Sequence, residues 1–525
     1  MNIGQFFEHW GIRENPFRGE EARDDSVLAR LSLAGTGTDD GRAGAASTHS
    51  DFDRILGELV RPSTSIVFGE RGSGKTAIRM QIAERVRAHN RAAPDAKLFL
   101  IDYDDLNPFI AELDARYGSR KDPAAALHKY RLVDHIDAML TIACERLSAA
   151  LLGESRDRPA ADLGEAPARE ARRLPAPLRQ ELLLLLALYD AADVDGSRAR
   201  RVRALLRLGT PRGAMLKKAG VWAGWIPAAL AAAWVVWANQ QSDGWILDFG
   251  RLLGQILLAV FALGWAAVLV KTLGVDRWRT ARFARRLRDE MHTLPRETPA
   301  LAASLRWVER GMLSPATMPV GDNASAQRYG MLDRLRRVIS RFGYTGVLVL
   351  IDRVDEPALI AGDPDKMRAV MWPLFNAKFL QQDRLGVKML LPIELRHALF
   401  RESASFFREA RLDKQSLVER LTWTGPMLYD LCETRLNACR DPDAEHLPLI
   451  DLFADDVNKQ DVIDALDQMH QPRDAFKFLY RCIVEHCSNV TADSGTRQIP
   501  RLVLDQVRRA EASRVQELYR GMRPA

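Results

Sequence analysis

The segment SIVFGERGSGKTAIRM, residues 65–80, constrains the fold more than any other part of the chain. A short, mainly apolar run at 65–68 leads into a glycine-rich stretch. Apolar side chains then recur at helical spacing at Ile78, Ile82 and Val86. The pattern therefore predicts a strand, a tight loop and a helix with one buried face.

The loop has the spacing G-x-x-x-x-G-K-T, in which glycines let successive backbone N–H groups point at phosphate oxygens. Lys75 would reach the β- and γ-phosphates of a nucleotide, and Thr76 would offer its hydroxyl to Mg²⁺. The helix adds its positive N-terminal end. The sequence predicts a phosphate-binding loop, and a surface glycine-rich turn is the alternative. The predicted nucleotide-binding residues are Gly69, Glu70, Arg71, Gly72, Ser73, Gly74, Lys75 and Thr76.

The acidic strand that completes such a site occurs far along the chain. Residues 346–351 form a continuous apolar run, which is typical of a strand in a parallel sheet covered on both faces. Asp352, Asp355 and Glu356 follow it. We expect Asp352 to hold the Mg²⁺ shell and Glu356 or Asp355 to polarise the attacking water. Acids after a strand can instead be helix N-caps.

Two further apolar runs predict strands of the same sheet. Residues 98–106 are predicted to form the second strand, at the sheet position next to the loop strand, and their Asp102 competes for the Mg²⁺ role. Residues 386–396 are predicted to form a strand that ends in Glu394 and Arg396. One of these two side chains would sense the γ-phosphate, and a surface ion pair is the alternative for Arg396.

Two uncharged apolar runs, at 221–238 and 252–270, lie between the loop and the acidic strand. Each is close to the ~20 residues that cross a hydrocarbon core of ~30 Å. Together they predict a transmembrane hairpin, and a buried helical hairpin in a soluble protein is the alternative. The tryptophans predicted to lie near the membrane interfaces are Trp222, Trp225, Trp237 and Trp245.

Basic segments at 197–218 and 271–288 flank these runs, whereas the connecting loop holds Asp243, Asp248 and only Arg251. By the positive-inside rule both flanks are cytoplasmic, which keeps the loop and the acidic strand on one side. The chain is predicted to span a bacterial inner membrane twice, with its N- and C-terminal parts in the cytoplasm. The basic flanks are then predicted to contact the anionic headgroups of the lipid bilayer, which is the predicted partner. This weakens the case for nucleic acid, which the net charge of +6 alone would leave open.

The composition, with 47% apolar residues in 525, allows two to four domains. The five cysteines show no CxxC pair and no histidine cluster, so neither a disulfide scaffold nor a zinc site is indicated. Residues 34–47 are predicted to be a flexible loop and residues 153–180 a linker. The predicted divisions are an N-terminal extension at 1–60, the first nucleotide-domain part at 61–150, a linker and helical segment at 151–218, the hairpin at 219–275, the second nucleotide-domain part at 276–425, and a helical lid with C-terminal helices at 426–525.

The later segments complete a resemblance to a known family. The loop and the acidic strand are followed by LLPIELR at 390–396, FREARLDKQSLVERLTWTGPMLYDLCETRL at 407–436 and QPRDAFKFL at 471–479. This order resembles the AAA+ ATPases of the origin-recognition and STAND-like branch, over roughly residues 10–110 and 330–490. Spans inserted between the loop and the acidic strand are similar to the KAP class of P-loop NTPases. That class usually has paired aspartates after the strand, whereas here an arginine follows the first aspartate.

The resemblance implies ATP as the nucleotide, a helical lid, and two further catalytic arginines. Arg411 would be a finger that completes the site of a neighbouring copy in a homo-oligomer, and Arg473 would be a sensor at the start of a lid helix. Arg411 is predicted to follow a helix at 396–410, and a local ion pair with Glu409 or Asp413 is its alternative role.

The sequence therefore predicts an α/β fold: a parallel P-loop NTPase sheet flanked by helices, interrupted by a transmembrane hairpin and followed by a helical lid. The expected function is a membrane-anchored ATPase that works as a nucleotide-driven switch, and the resemblance implies phage defence or stress response as its setting. The alternatives are a non-hydrolysing nucleotide-gated scaffold and a nucleic-acid-responsive defence sensor. A basic helical pattern at 499–522 is predicted to be a solvated helix rather than a nucleic-acid site.

Overall fold

The computed structural model describes most of the chain, in two compact units. The first unit comprises Met1–Asn107, Ser119–Tyr130 and Gly343–Ala525, and the second comprises Pro108–Gly118 and Arg131–Phe342. The described residues are 1–18, 22–34, 48–119, 125–155, 158–209, 214–240, 245–314, 316–320, 324–441, 443–490 and 497–519. Residues 35–47 of the flexible loop predicted at 34–47, and residues 241–244 of the hairpin connection at 239–251, lie outside them.

The first unit is built on a five-stranded parallel sheet. Its strands are β1 Ser65–Gly69, β2 Lys97–Tyr103, β3 Tyr344–Ile351, β4 Leu385–Pro392 and β5 Ser416–Val418. They lie in the order β2-β3-β4-β1-β5. Val67 of β1 lies opposite Leu390 of β4 on one side and Val418 of the edge strand β5 on the other. The predicted α/β class with a parallel sheet is confirmed.

Helices cover the sheet and continue into the C-terminal region of the first unit. Ile78, Ile82 and Val86 are buried against the sheet, as their spacing predicts. The helices are Ile3–His9, Ser26–Ala34, Phe52–Leu56, Lys75–Ala92, Pro364–Met371, Ala377–Leu380, Ile393–Leu399, Ala404–Glu409, Gly425–Ala438, Lys459–Asp467, Pro472–Asn489 and Arg501–Tyr519, with 3-10 turns at Leu127–Lys129, Trp372–Leu374, Leu412–Lys414 and Leu449–Leu452.

Two predictions about the sheet are wrong. Strand β2 lies at the edge beside β3 and not beside β1, because β4 takes the position between β3 and β1. The strand predicted at 386–396 ends at Pro392, which begins a helix at Ile393. Proline has no N–H to continue a ladder, so the strand stops there. Glu394 and Arg396 consequently lie in a helix and not at a strand end.

The C-terminal helices form a second core with the N-terminal helix. Phe6, Phe17, Leu428 and Phe478 are all buried in it. The last helix, Arg501–Tyr519, also buries one face, including Val503, Leu504, Val507 and Val515. The prediction of a solvated helix is therefore wrong for that face. The helix predicted at 396–410 is also wrong, because it is two short helices with a break at residues 400–403.

The second unit is helical. Its helices are Asn107–Tyr117, Leu132–Leu152, Pro167–Arg173, Ala176–Tyr189, Ser197–Leu205, Ala214–Ala223, Ile226–Asn239, Trp245–Leu269, Asp276–Glu290, Thr298–Leu305 and Ala324–Ser340, with a 3-10 turn at Arg310–Met312 and a π-helical segment at Val270–Val275. The linker predicted at 153–180 is wrong in part, because Leu163 and Ala171 are buried and residues 167–173 are helical. The core of this unit includes a buried ion pair between Arg328 and Asp137, with Nε and Oδ2 2.8 Å apart.

Two helical stretches in the described part of the second unit, Ala219–Trp237 and Leu252–Glu290, are long and apolar enough to cross a membrane. Only 6% of the most apolar window of each is buried, which does not fit the alternative of a buried hairpin. A Cβ on Gly254 would lie 2.8 Å from Val235 Cγ2, so the glycine allows the two stretches to approach closely. Of the predicted interface tryptophans, the side chain of Trp245 lies outside the described residues, and the exposed ones are Trp222, Trp225 and Trp237.

Candidate functional site

The carboxyl ends of the parallel strands bring the predicted site residues to one edge of the sheet in the first unit. Strand β1 ends at Gly69, where the glycine loop (Gly69–Thr76) begins, and β3 ends at Ile351, directly before Asp352. A cavity of about 410 Å³ opens at this edge. The predicted site residues that line it are Arg71, Gly72, Gly74, Lys75, Thr76, Asp352, Asp355, Glu356 and Arg473.

The glycine loop curls tightly before the helix Lys75–Ala92 begins. Gly72 has a φ of +91°, and a Cβ there would lie 3.0 Å from Arg473 Cβ, so both the backbone conformation and the space favour glycine. Lys75 Nζ donates to the carbonyl oxygens of Gly69 and Glu70, each at 2.8 Å. The lysine ammonium is therefore held inside the loop, beside the cavity.

Asp352 and Thr76 face each other across this edge. Asp352 is only 1% exposed, and burial raises the pKa of its carboxyl. Arg79, the Thr76 hydroxyl and Lys75 act in the opposite direction on that pKa. The side-chain burial of Lys75 lowers its pKa, and nearby carboxylates, Asp352 first among them, oppose the shift.

Asp352 and Thr76 fit a Mg²⁺ site in which the phosphates of a bound nucleotide would supply most of the ligands. Among the described residues, no group of three or more His, Cys, Asp or Glu side chains forms a metal cage. The Oδ2 atom of Asp352 is buried without a hydrogen-bond partner in the described structure, although Arg79 lies near it. Mg²⁺ in phosphate sites is typically bound by one or two carboxylates together with substrate phosphates. Asp352 and the Thr76 hydroxyl would supply the protein ligands.

The two candidate water-polarising acids lie in the loop after Asp352. Asp355 and Glu356 both line the cavity, and Glu356 forms an ion pair with Arg353. The next helix begins at Pro364 and is capped by the side chain of Asp363. Asp352, Asp355 and Glu356 therefore do not cap this helix, which was their alternative role.

Residues near the C-terminal helices close one side of the glycine loop. The helix Pro472–Asn489 begins with the predicted Pro-Arg pair, and Arg473 lines the cavity. Glu70 of the loop accepts hydrogen bonds from Gln471 and from Arg420, the latter at 2.5 Å. The loop is thus bonded to the start of this helix and to the segment after β5.

Aromatic and apolar side chains form part of the cavity lining. His49 Nε2 lies 2.8 Å from the carbonyl oxygen of Thr422, and its Nδ1 accepts the Asp51 backbone N–H at 3.0 Å. The ring proton is therefore on Nε2, and burial lowers the pKa of this histidine. His49 packs edge-on against Trp423, with ring centroids 4.9 Å apart. Leu28, Leu431 and Phe476 line the same cavity.

The structure does not bring every predicted residue to the cavity. Arg411 is exposed, has a φ of +51° and is not among the residues that line it. In the described chain Arg411 forms no ion pair with Glu409 or Asp413. Arg396 forms an ion pair with Glu419, with Nη2 and Oε2 2.8 Å apart, as its alternative role predicts.

Several residues at the site were missed by the sequence reasoning. Arg79 contacts Asp352, and a signal for it exists, since it follows Thr76 by three residues and so shares its helix face. The contacts of His49, Trp423 and Gln471 join segments that are far apart in sequence, so no local pattern indicates them.

Comparison of the chain with known protein families, with curated proteins and with solved structures gives no match.

Proposed function

We propose that the chain is a membrane-anchored ATPase of the P-loop type, similar to the KAP-like and STAND-like ATPases, that works as a nucleotide-driven switch. The observation that supports this best is the convergence of Lys75, Thr76 and Asp352 on one cavity at the start of the helix Lys75–Ala92. A helix N-terminus, a lysine and a hydroxyl beside a buried carboxylate form the donor set that a phosphate chain with Mg²⁺ requires.

Each residue then has a distinct part in the reaction. Lys75 exchanges its bonds to the loop carbonyls for bonds to the β- and γ-phosphates. Mg²⁺, when bound, neutralises charge on the phosphate oxygens. Glu356 or Asp355 orients the attacking water, and Arg473 contacts the phosphates from the helical lid, the C-terminal helices from Gly425 onward.

The aromatic and apolar side chains of the cavity support adenine as the base. Leu28, Phe476 and the aromatic rings offer an apolar surface on which a purine can stack. Guanine also presents N–H donors that favour a carboxylate partner. The carboxylate of Asp25, which also lines the cavity, is already bonded to Arg435 at 2.7 Å and to the backbone N–H groups of Val27 and Leu28.

Membrane insertion is supported by the exposed apolar surface of the second unit. Helices of suitable length whose apolar side chains are exposed are stable where lipid covers them. Two crossings return the chain to the side on which it started, so the glycine loop and Asp352 stay on the same face of the membrane. The basic flanks support a cytoplasmic position for that face.

The non-hydrolysing scaffold is a second candidate, favoured by one observation. Glu356 is ion-paired with Arg353, so the acid expected to polarise water is already engaged. Turnover separates the two functions. Detergent-solubilised wild-type protein should release phosphate from ATP, and Lys75→Ala should not. Nucleotide binding without turnover would favour the scaffold, and turnover that rises on adding DNA or RNA would favour the nucleic-acid sensor.

A further inference from the structure

Arg79 occupies a position between two strand ends of the first unit. It lies on the helix Lys75–Ala92, and its side chain is 10% exposed. Its Nη1 atom is 2.8 Å from Asp104 Oδ2 and 3.9 Å from Asp102 Oδ1, both at the end of β2. Its Nε atom is 3.5 Å from Asp352 Oδ2, at the end of β3. One guanidinium therefore contacts three carboxylates.

The charges in this cluster are not balanced by Arg79 alone. Asp104 also pairs with Arg23, and Lys75 and Arg353 act on the charge of Asp352, so several cations and three carboxylates share this region. The contact of Arg79 with Asp104 is shorter than its contact with Asp352, whose Oδ2 has no hydrogen-bond partner in the described structure. The Arg79 guanidinium is thus held most closely by Asp104 and compensates the charge of Asp352 at longer range.

We propose that Arg79 is a positioning residue that divides its charge between Asp352 and the acids at the end of β2. Arg79 compensates the buried Asp352 carboxylate when no cation is bound. When Asp352 binds Mg²⁺, Asp102 and Asp104 retain the Arg79 guanidinium, so Arg79 and Mg²⁺ do not share one carboxylate. This inference rests on the proposed function, and it gives Asp102 the role of an anchor for Arg79 in place of a metal ligand.

Two substitutions should move the Mg²⁺ requirement in opposite directions. Asp104→Asn leaves Arg79 fewer anions at the end of β2, so Arg79 is drawn to Asp352 and competes with the metal. Arg79→Gln removes that competing charge, so Asp352 takes Mg²⁺ more readily. Arg79→Lys keeps the charge and should stay close to the wild type. A purely structural role would instead weaken metal binding in every variant.

The experiment measures binding of a non-hydrolysable ATP analogue to the full-length, detergent-solubilised protein by calorimetry, over a series of free Mg²⁺ concentrations. We expect the half-saturating Mg²⁺ concentration to rise about tenfold in Asp104→Asn and to fall about tenfold in Arg79→Gln, a change of about 1.4 kcal/mol each way. Arg79→Lys should remain within about threefold of the wild type. Matched controls are two substitutions at exposed positions, Arg85→Gln on the same helix and Asp95→Asn before β2. Neither should change the half-saturating Mg²⁺ concentration.

Shifts of the same sign in Asp104→Asn and Arg79→Gln, or no shift in either, would overturn the role of Arg79. If Arg79→Gln does not fold, Asp104→Asn decides alone, and an unchanged or lowered Mg²⁺ requirement overturns the inference. A wild type that binds no analogue at any Mg²⁺ concentration overturns the proposed function as well. A wild type with Mg²⁺-dependent affinity and unmoved variants overturns only the inference about Arg79.

Discussion

Trp423 donates its indole N–H to the backbone carbonyl of Ser73 at 2.9 Å. This bond joins the glycine loop to the segment between β5 and the C-terminal helices. Glu70, at the other side of the loop, is bonded to Gln471 and Arg420. If the loop changes its conformation on binding phosphate, these bonds to the helical region would differ between the two states, as a nucleotide switch requires.

Trp423→Phe should keep the apolar packing of this side chain and remove its hydrogen bond to Ser73. We expect the free energy of unfolding to fall by about 1 kcal/mol and the ATP affinity to fall several-fold, because the loop loses one of its anchors. Chemical denaturation and calorimetry measure the two effects. Trp372→Phe is a matched control, since it loses a bond to Glu402 at 2.8 Å outside the cavity. Equal loss of affinity in both variants would contradict a specific role for Trp423.

Lys75→Ala should weaken ATP binding by about tenfold to a hundredfold, because it removes a cation that bonds the β- and γ-phosphates. Calorimetry on the solubilised protein measures the change. Lys414→Ala, which removes an exposed ion pair with Asp413, is the control and should bind ATP normally. ATP affinity that is unchanged in Lys75→Ala would exclude the glycine loop as a phosphate site.

Asp352→Asn and Glu356→Gln should separate metal binding from hydrolysis. Glu356→Gln should retain ATP and slow its turnover, because the water loses its orienting base. Asp352→Asn should also weaken Mg²⁺-dependent binding, because the amide is a poorer ligand than the buried carboxylate. Phosphate release and calorimetry distinguish the two results. Normal turnover in Glu356→Gln would assign the role of the base to Asp355 or to another residue.

A cysteine placed at Ser242, in the predicted hairpin connection outside the described residues, should react from outside intact cells with an impermeant thiol reagent. The five native cysteines do not serve as a cytoplasmic control, because all of them are buried and burial alone would protect them. Asp95→Cys, at an exposed position before β2, is the better control and should stay unlabelled until the cells are opened. Labelling of Asp95→Cys in intact cells, or extraction of the protein by carbonate, would refute the hairpin topology.

Arg411→Ala and Lys75→Ala should each abolish turnover, and mixing them in one membrane should restore part of it. In the proposed homo-oligomer, Arg411, whose exposed side chain does not line its own cavity, would complete a neighbour's site, and a finger arginine is worth ~10³ or more in rate. A mixed oligomer contains one site with both residues intact. Phosphate release and co-purification are measured together. Variants that associate without recovering activity would show that Arg411 is not a finger in trans.

The sequence by itself determined the local elements of the site. The glycine spacing of residues 69–76, the helical period after it and the apolar run before Asp352 each depend on a few neighbouring residues, and the structure has the strands and the helix where those patterns predict them. The two uncharged apolar runs could likewise be identified from the sequence, because span length and the absence of charge are properties of a continuous segment.

Only the tertiary structure decided which strands are neighbours and which side chains meet. The insertion of β4 between β1 and β3 moved β2 to the sheet edge, and chain order alone does not specify that arrangement. The same packing put Arg79 between Asp104 and Asp352, and brought His49 and Trp423 to one cavity from opposite ends of the chain. Such contacts depend on the burial of whole faces against one another, so no periodicity in a single segment records them.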